Sequence, residues 1–90
     1  MAYIVFNKTT NKVIHILNKA PIAVSDRLIV ARCEYIPKGS KYIVVNIQEK
    51  QEEYIDRVNE KVTIATGEEK EIIKAITKTR TYLTCDLIAL

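Results

Sequence analysis

The chain contains few of the residues that interrupt secondary structure. Its ninety residues include two Gly and two Pro. Because turns depend strongly on these two residue types, their scarcity indicates a few long elements rather than many short ones. A chain of this length forms one domain with a modest core, so we predict a single domain over residues 1–90.

Cysteine and histidine are equally scarce, and this argues against several kinds of functional site. The chain has Cys33, Cys85 and a single histidine, His15, with no close Cys pair to complete a metal-binding set. We interpret both cysteines as small buried hydrophobic residues. His15 has no nucleophile or acid at a recognisable spacing, so we interpret it as a structural or surface residue. Whether Cys33 and Cys85 are neighbours stays open.

Other chemical signatures are missing as well. Gly39 and Gly67 do not belong to a phosphate-binding loop, and the acidic residues lack the spacing of a calcium loop. We therefore expect no cofactor, no metal and no enzymatic activity. No apolar run approaches the ~18 residues of a membrane span, and the N-terminal segment lacks the basic start of a signal peptide. We expect no membrane insertion.

What the chain does contain is a large share of β-branched residues: fourteen Ile, eight Val and eight Thr. Such side chains fit a pleated surface and lose rotamer freedom in a helix. We predict a mainly β fold that forms either one small antiparallel sheet or a curled barrel or sandwich. The predicted strands are 3–6 and 13–17, which form a hairpin, then 28–36, 42–48 and 77–88.

Two patterns predict which side chains are buried. Every strand residue of the first hairpin except His15 is apolar or aromatic, so we expect the rest of the chain or a partner to cover it. In strand 28–36, alternate positions that end at Tyr35 form a core-like face, and Leu83 lies on an apolar face of the last strand. Replacing Tyr35 or Leu83 by Ala should then cost roughly 2–5 kcal/mol.

The segment 49–75 allows two interpretations. Its neighbours favour strands, so we predict a long hairpin that protrudes as an arm, with Gly67 supplying a positive φ at the tip. The alternative is an α+β fold with one or two short helices in 49–76. Thr66 and Glu69 fit a capping box, and several apolar residues in this segment have helical spacing.

Charge is unevenly distributed along the chain. Residues 1–47 carry a net +5, residues 48–72 a net −4 and residues 73–90 a net +2. The scattered basic residues do not form the concentrated face of a nucleic-acid binder. The candidate interaction residues are the acidic Glu49, Glu52, Glu53 and Asp56, and the strip of Lys78, Arg80 and Tyr82 on one strand face. Each set also fits a solvated surface.

The two ends of the chain resemble small proteins of the tail-gene region of tailed phages and prophages of Gram-positive bacteria. The similarity lies in residues 3–16 and 77–88 and is weaker over 48–72. It implies a setting, a phage particle or an infected cell, but no chemistry and no residue roles.

Two functions of different classes follow from these observations. The first is a non-enzymatic structural or assembly component of a phage tail or tail tip, located in the virion and forming a homo-oligomer. The second is a phage-encoded module in the host cytoplasm that inhibits a host protein, such as a defence or regulatory factor, through its acidic 48–72 segment. Both require protein partners rather than nucleic acid.

Overall fold

A computed structural model describes all residues from Met1 to Leu90. It contains five strands and no helix, which confirms the mainly β prediction and shows that the α+β alternative is wrong. The strands are β1 (Ala2–Asn7), β2 (Val13–Leu17), β3 (Leu28–Cys33), β4 (Tyr42–Thr63) and β5 (Glu69–Ala89). Four of the five predicted strands fall within these elements, whereas the predicted strand 28–36 extends three residues beyond the end of β3. Strands β4 and β5 continue through 49–75, where the hairpin arm was predicted.

All five strands belong to one sheet, in the order β2-β1-β3-β5-β4. Strand β1 pairs antiparallel with β2 and with β3, whereas β3 pairs in parallel with β5 through Arg32 and Thr84. The sheet is therefore mixed rather than wholly antiparallel. It is not closed into a barrel, although an isolated bridge joins Lys12 to Ile43 near the start of β4.

The predicted first hairpin, β1 and β2, is present, and Asn7 organises its loop. The Asn7 side-chain Oδ1 accepts hydrogen bonds from the backbone N–H groups of Thr9 and Thr10, at 2.8 and 3.1 Å. Asn11 has a φ of 59°, a left-handed conformation that Asn tolerates better than most residues. The backbone N–H of Asn7 also donates to the carbonyl of Lys12 at 3.0 Å, which closes the loop before β2 begins.

The chain folds as two compact units. The first comprises Met1–Lys50 and Thr81–Leu90, and the second comprises Gln51–Arg80. The core of the first unit is formed by eight buried residues: Ala2, Ile4, Phe6, Ala31, Cys33, Val44, Cys85 and Leu87. Val13, Ile29, Tyr42 and Leu83 are half-buried and pack against that core, as expected for Ile29 and Leu83.

The prediction that Tyr35 is a core residue is wrong. Strand β3 ends at Cys33, two residues before Tyr35, and the Tyr35 side chain is 75% exposed. Alternation predicts burial only while the strand continues. The chain leaves the sheet as it approaches Pro37, which lacks a backbone donor and restricts the residue before it.

The second unit, called the hairpin unit below, consists of the distal parts of β4 and β5 and the turn between them. The N–H of Ile64 donates to the carbonyl of Glu68, and the N–H of Gly67 donates to the carbonyl of Ile64, both at 2.9 Å. Gly67 has a φ of 84°, which glycine adopts without steric cost. The predicted hairpin tip is thus confirmed, and the capping box is not used.

Candidate interaction surfaces

The hairpin unit brings the acidic and basic candidate residues together. The Lys78 ammonium donates to the Asp56 carboxylate at 2.8 Å, and the Arg80 Nε donates to the Glu52 carboxylate at 2.7 Å. From the sequence, we predict two separate surfaces, one acidic and one basic and aromatic. In the structure they neutralise each other across neighbouring strands, so four of the seven candidates support the hairpin itself.

The hydrogen bond between Asp56 and Lys78 shifts the pKa values of both groups. The hydrogen bond from Lys78, reinforced by its charge, lowers the pKa of Asp56 below its ordinary value. The hydrogen bond to Asp56 and the charge of Asp56 likewise raise the pKa of Lys78. Both groups lie at the surface, so we expect the pair to contribute little to the free energy of unfolding.

Aromatic and weaker ionic contacts complete this face of the hairpin unit. The Arg80 guanidinium carbon lies 4.7 Å from the centre of the Tyr54 ring, within the range of a cation–π interaction. Arg80 is therefore held by a carboxylate and an aromatic ring together. Closer to the tip, Lys74 and Glu60 approach to 3.9 Å, which continues the alternation of opposite charges.

The hairpin unit also exposes apolar side chains that no sequence signal distinguished. Ile55 and Ile73 are 69% and 70% exposed. The exposed Glu53 lies two residues before Ile55 on β4, so the two side chains share one face of the strand. These isoleucines are apolar surface that the hairpin unit leaves accessible to solvent.

The remaining candidates, Tyr82 and Glu49, lie in the first unit. The Arg32 guanidinium stacks on the Tyr82 ring at 3.9 Å from its centre, and it lies 6.0 Å from the Tyr3 ring. No local sequence signal distinguishes Arg32, because only the fold brings Tyr3 and Tyr82 beside it. Glu49 is exposed near the end of this unit.

A polar groove of about 430 Å³ adjoins the stacked Arg32 and Tyr82. One of its walls holds a hydrogen bond from the Asn46 amide to the Asp86 carboxylate, at 3.0 Å. Asn46 has a φ of 52°, within β4. No sequence signal could have joined Asn46 to Asp86, because strand pairing alone brings these distant positions together.

A second groove, called the β2 groove below, runs along the edge strand β2. It has a volume of about 550 Å³ and is lined by Lys12, Val13, Ile14, His15, Ile16, Ser40, Lys41, Tyr42 and Leu90. Strand β1 is almost fully covered, but β2 is not: its three central residues are exposed. The sequence predicted cover for the whole first hairpin, and the chain itself supplies it only for β1.

The two cysteines are neighbours, which answers the question that the sequence left open. They follow the paired residues Arg32 and Thr84 on β3 and β5, and both are buried and free. Burial raises the pKa of Cys85 to about 12, and the adjacent Cys33 adds to that shift. The Cys33 thiol donates to the carbonyl of Tyr35 at 3.1 Å. Both residues act as core side chains.

Neither a metal cluster nor a membrane-spanning helix is seen. No three His, Cys, Asp or Glu side chains come close enough together to hold a metal ion. The chain forms no helix of the length and apolar character that crossing a bilayer requires.

Comparisons with known proteins find no significant match to this chain. No protein-family model matches the sequence, and no curated protein or solved structure is significantly similar to it.

Proposed function

We propose that this protein is a non-enzymatic structural or assembly component of a phage tail or tail tip, and that it works by binding neighbouring proteins. The observation that carries the proposal is the uncovered apolar surface of the edge strand β2, where Ile14 and Ile16 are exposed. An edge strand has unpaired backbone groups, and proteins that stay monomeric usually protect such strands with charge or proline. Strand β2 has neither.

The hairpin unit supports the same proposal. Three ion pairs join its two strands, while Ile55 and Ile73 are left exposed. A two-stranded hairpin is marginally stable alone, so contact with a partner would add stability that the chain does not supply. Small β proteins often obtain such stability by assembly. The phage setting itself rests on the resemblance of the chain ends to tail-region proteins.

The experiment that tests this proposal is mass spectrometry of purified particles from a phage or induced prophage that encodes the protein. A component of the tail should be present at a fixed copy number relative to the other tail proteins. Its absence from particles that are otherwise complete would contradict the proposal. A matched sample of the infected-cell lysate controls for expression.

The alternative, an inhibitor of a host protein that acts through an acidic segment, has less support from the structure. Of the four candidate acids, Glu52 and Asp56 already bind Arg80 and Lys78, so Glu49 and Glu53 are the two that could enter a basic groove without breaking a pair. The acids near the hairpin tip, Glu68, Glu69 and Glu71, form no ion pair either. If the alternative is correct, neutralising Glu49 and Glu53 together with these three should abolish binding to the host protein. Unchanged binding of that variant would exclude the acidic mechanism.

A further inference from the structure

The β2 groove has apolar walls and a positively charged rim. Its exposed apolar residues are Ile14, Ile16 and Leu90, which are 46%, 38% and 71% exposed. Lys12 and Lys41 also line it, both with exposed side chains, and no Asp or Glu side chain does. A ligand for this groove should therefore combine apolar side chains with negative charge.

The tip of the hairpin unit, residues 64–73, has this complementary chemistry. Ile64, Ile72 and Ile73 are 40%, 40% and 70% exposed. Between them the segment carries three acids, Glu68, Glu69 and Glu71, against the single base Lys70. All four charged side chains are exposed, and none of them forms an ion pair. The tip thus presents isoleucines and unpaired carboxylates on one short segment.

We propose that the β2 groove of one copy binds the hairpin tip of a second copy. The inference rests on the proposed function and names the partner and the two surfaces of the assembly. Charge complementarity supports this occupant, because a groove lined by two lysines and by no Asp or Glu side chain meets a tip with an excess of acids. The apolar residues on both sides would become buried at the centre of the contact, with the charges at its rim.

Such a contact is heterologous, since different surfaces of the two copies meet. Each copy then has one groove to fill and one tip to donate. Repetition of the contact generates a ring if the rotation between copies closes, and an open filament if it does not. Both products fit an assembly component, and neither leaves the isoleucines of the groove exposed.

A charge-exchange experiment tests the inference. The groove variant is K12E/K41E and the tip variant is E68K/E69K, and light scattering over a concentration series measures self-association of each. Like charges then face each other, so each variant alone should self-associate at least about tenfold more weakly than the natural chain. An equimolar mixture of the two should regain association, because the acidic groove of one accepts the basic tip of the other.

Two matched controls make the same changes in net charge elsewhere. K8E/K19E changes exposed residues of the first unit outside the groove, and D26K/E34K changes exposed acids outside both the groove and the tip. Both should associate like the natural chain. Circular dichroism checks that all variants fold, which we expect because every substituted side chain is exposed.

Several outcomes would overturn the inference. One is a natural chain that stays monomeric at all concentrations. Another is association that survives both charge variants, or that the mixture does not restore; a different partner or surface would then occupy the groove. These results are independent of the particle analysis, so a protein found in particles but insensitive to charge exchange would retain its proposed function and lose this contact.

Discussion

At the scale of single residues, burial separates the side chains that hold the fold from those that merely look apolar. Phe6 and Ile4 are fully buried in the first unit, whereas Tyr35 and Ile22 are almost entirely exposed. All four are equally plausible core residues by type. What distinguishes them is that Phe6 and Ile4 lie on a strand with neighbours on both sides, while Tyr35 and Ile22 lie outside the strands.

The first prediction contrasts two aromatic residues. Phe6→Ala should lower the free energy of unfolding by about 3–5 kcal/mol, because it leaves a cavity in the core. Tyr35→Ala should change it by no more than about 0.5 kcal/mol, because the ring is exposed. Urea denaturation monitored by circular dichroism measures both. A large loss for Tyr35→Ala would show that its ring is covered in solution.

The second prediction concerns the buried thiols. Because burial raises the pKa of Cys85 to about 12, its thiol should stay protonated at pH 8 and react slowly with a thiol reagent. Unfolding in denaturant should restore rapid labelling. The unfolded thiol ionises near its ordinary value of 9.0, so stability should fall as the pH rises from about 9 toward 12. Cys85→Ala should remove that contribution, and fast labelling of the native protein would contradict the prediction.

At the scale of elements, cross-strand pairs decide the structure of the segment that the sequence described ambiguously. The acids of β4 meet the bases of β5 at three successive points: Glu52 with Arg80, Asp56 with Lys78, and Glu60 with Lys74. The pairs match the observed register, since a shift by one residue would turn their members to opposite faces. Along one helix, Glu52, Asp56 and Glu60 would follow one another at four-residue spacing, where like charges repel.

The third prediction follows from the Asp56–Lys78 pair. The folded state lowers the pKa of Asp56 from 3.8, so the contribution of the pair is complete above about pH 4 and lost as the pH falls further. The folded state raises the pKa of Lys78 from 10.5, so the contribution persists to that pH and is lost above it. NMR titration of Asp56 measures the first effect, and Lys78→Met should return the carboxyl to its ordinary pKa. An unshifted Asp56 in the natural chain would contradict the pairing.

The fourth prediction concerns the turn of the hairpin unit. Gly67→Ala places a side chain at a φ of 84°, where it has room but an unfavourable backbone conformation. We expect roughly 1 kcal/mol of strain in the turn. Hydrogen exchange at Ile64 and Gly67 should speed up accordingly, while exchange in the first unit stays unchanged. Gly67→Asn, which tolerates this conformation better, is the matched control.

At the scale of the whole molecule, the proposed assembly concerns the apolar surface that the single chain leaves uncovered. A chain of ninety residues buries only about 60–65% of its unfolded surface, so its core is limited. Exposed isoleucines remain on both β2 and the hairpin unit. If these isoleucines were buried between copies, the assembly would gain apolar contacts at two surfaces that the single chain leaves exposed to solvent.

The residues by themselves determined the β class, the first hairpin, the Gly67 turn and the burial of the cysteines, because these follow from local propensity and alternation. The tertiary structure decided what depends on distant partners: the parallel pairing that makes Cys33 and Cys85 neighbours, the end of β3 before Tyr35, and the neutralisation of Glu52 and Asp56 by Arg80 and Lys78. Alternation states which side chains share a face of a strand. It does not state where the strand ends or which strand lies beside it, because non-local pairing sets both.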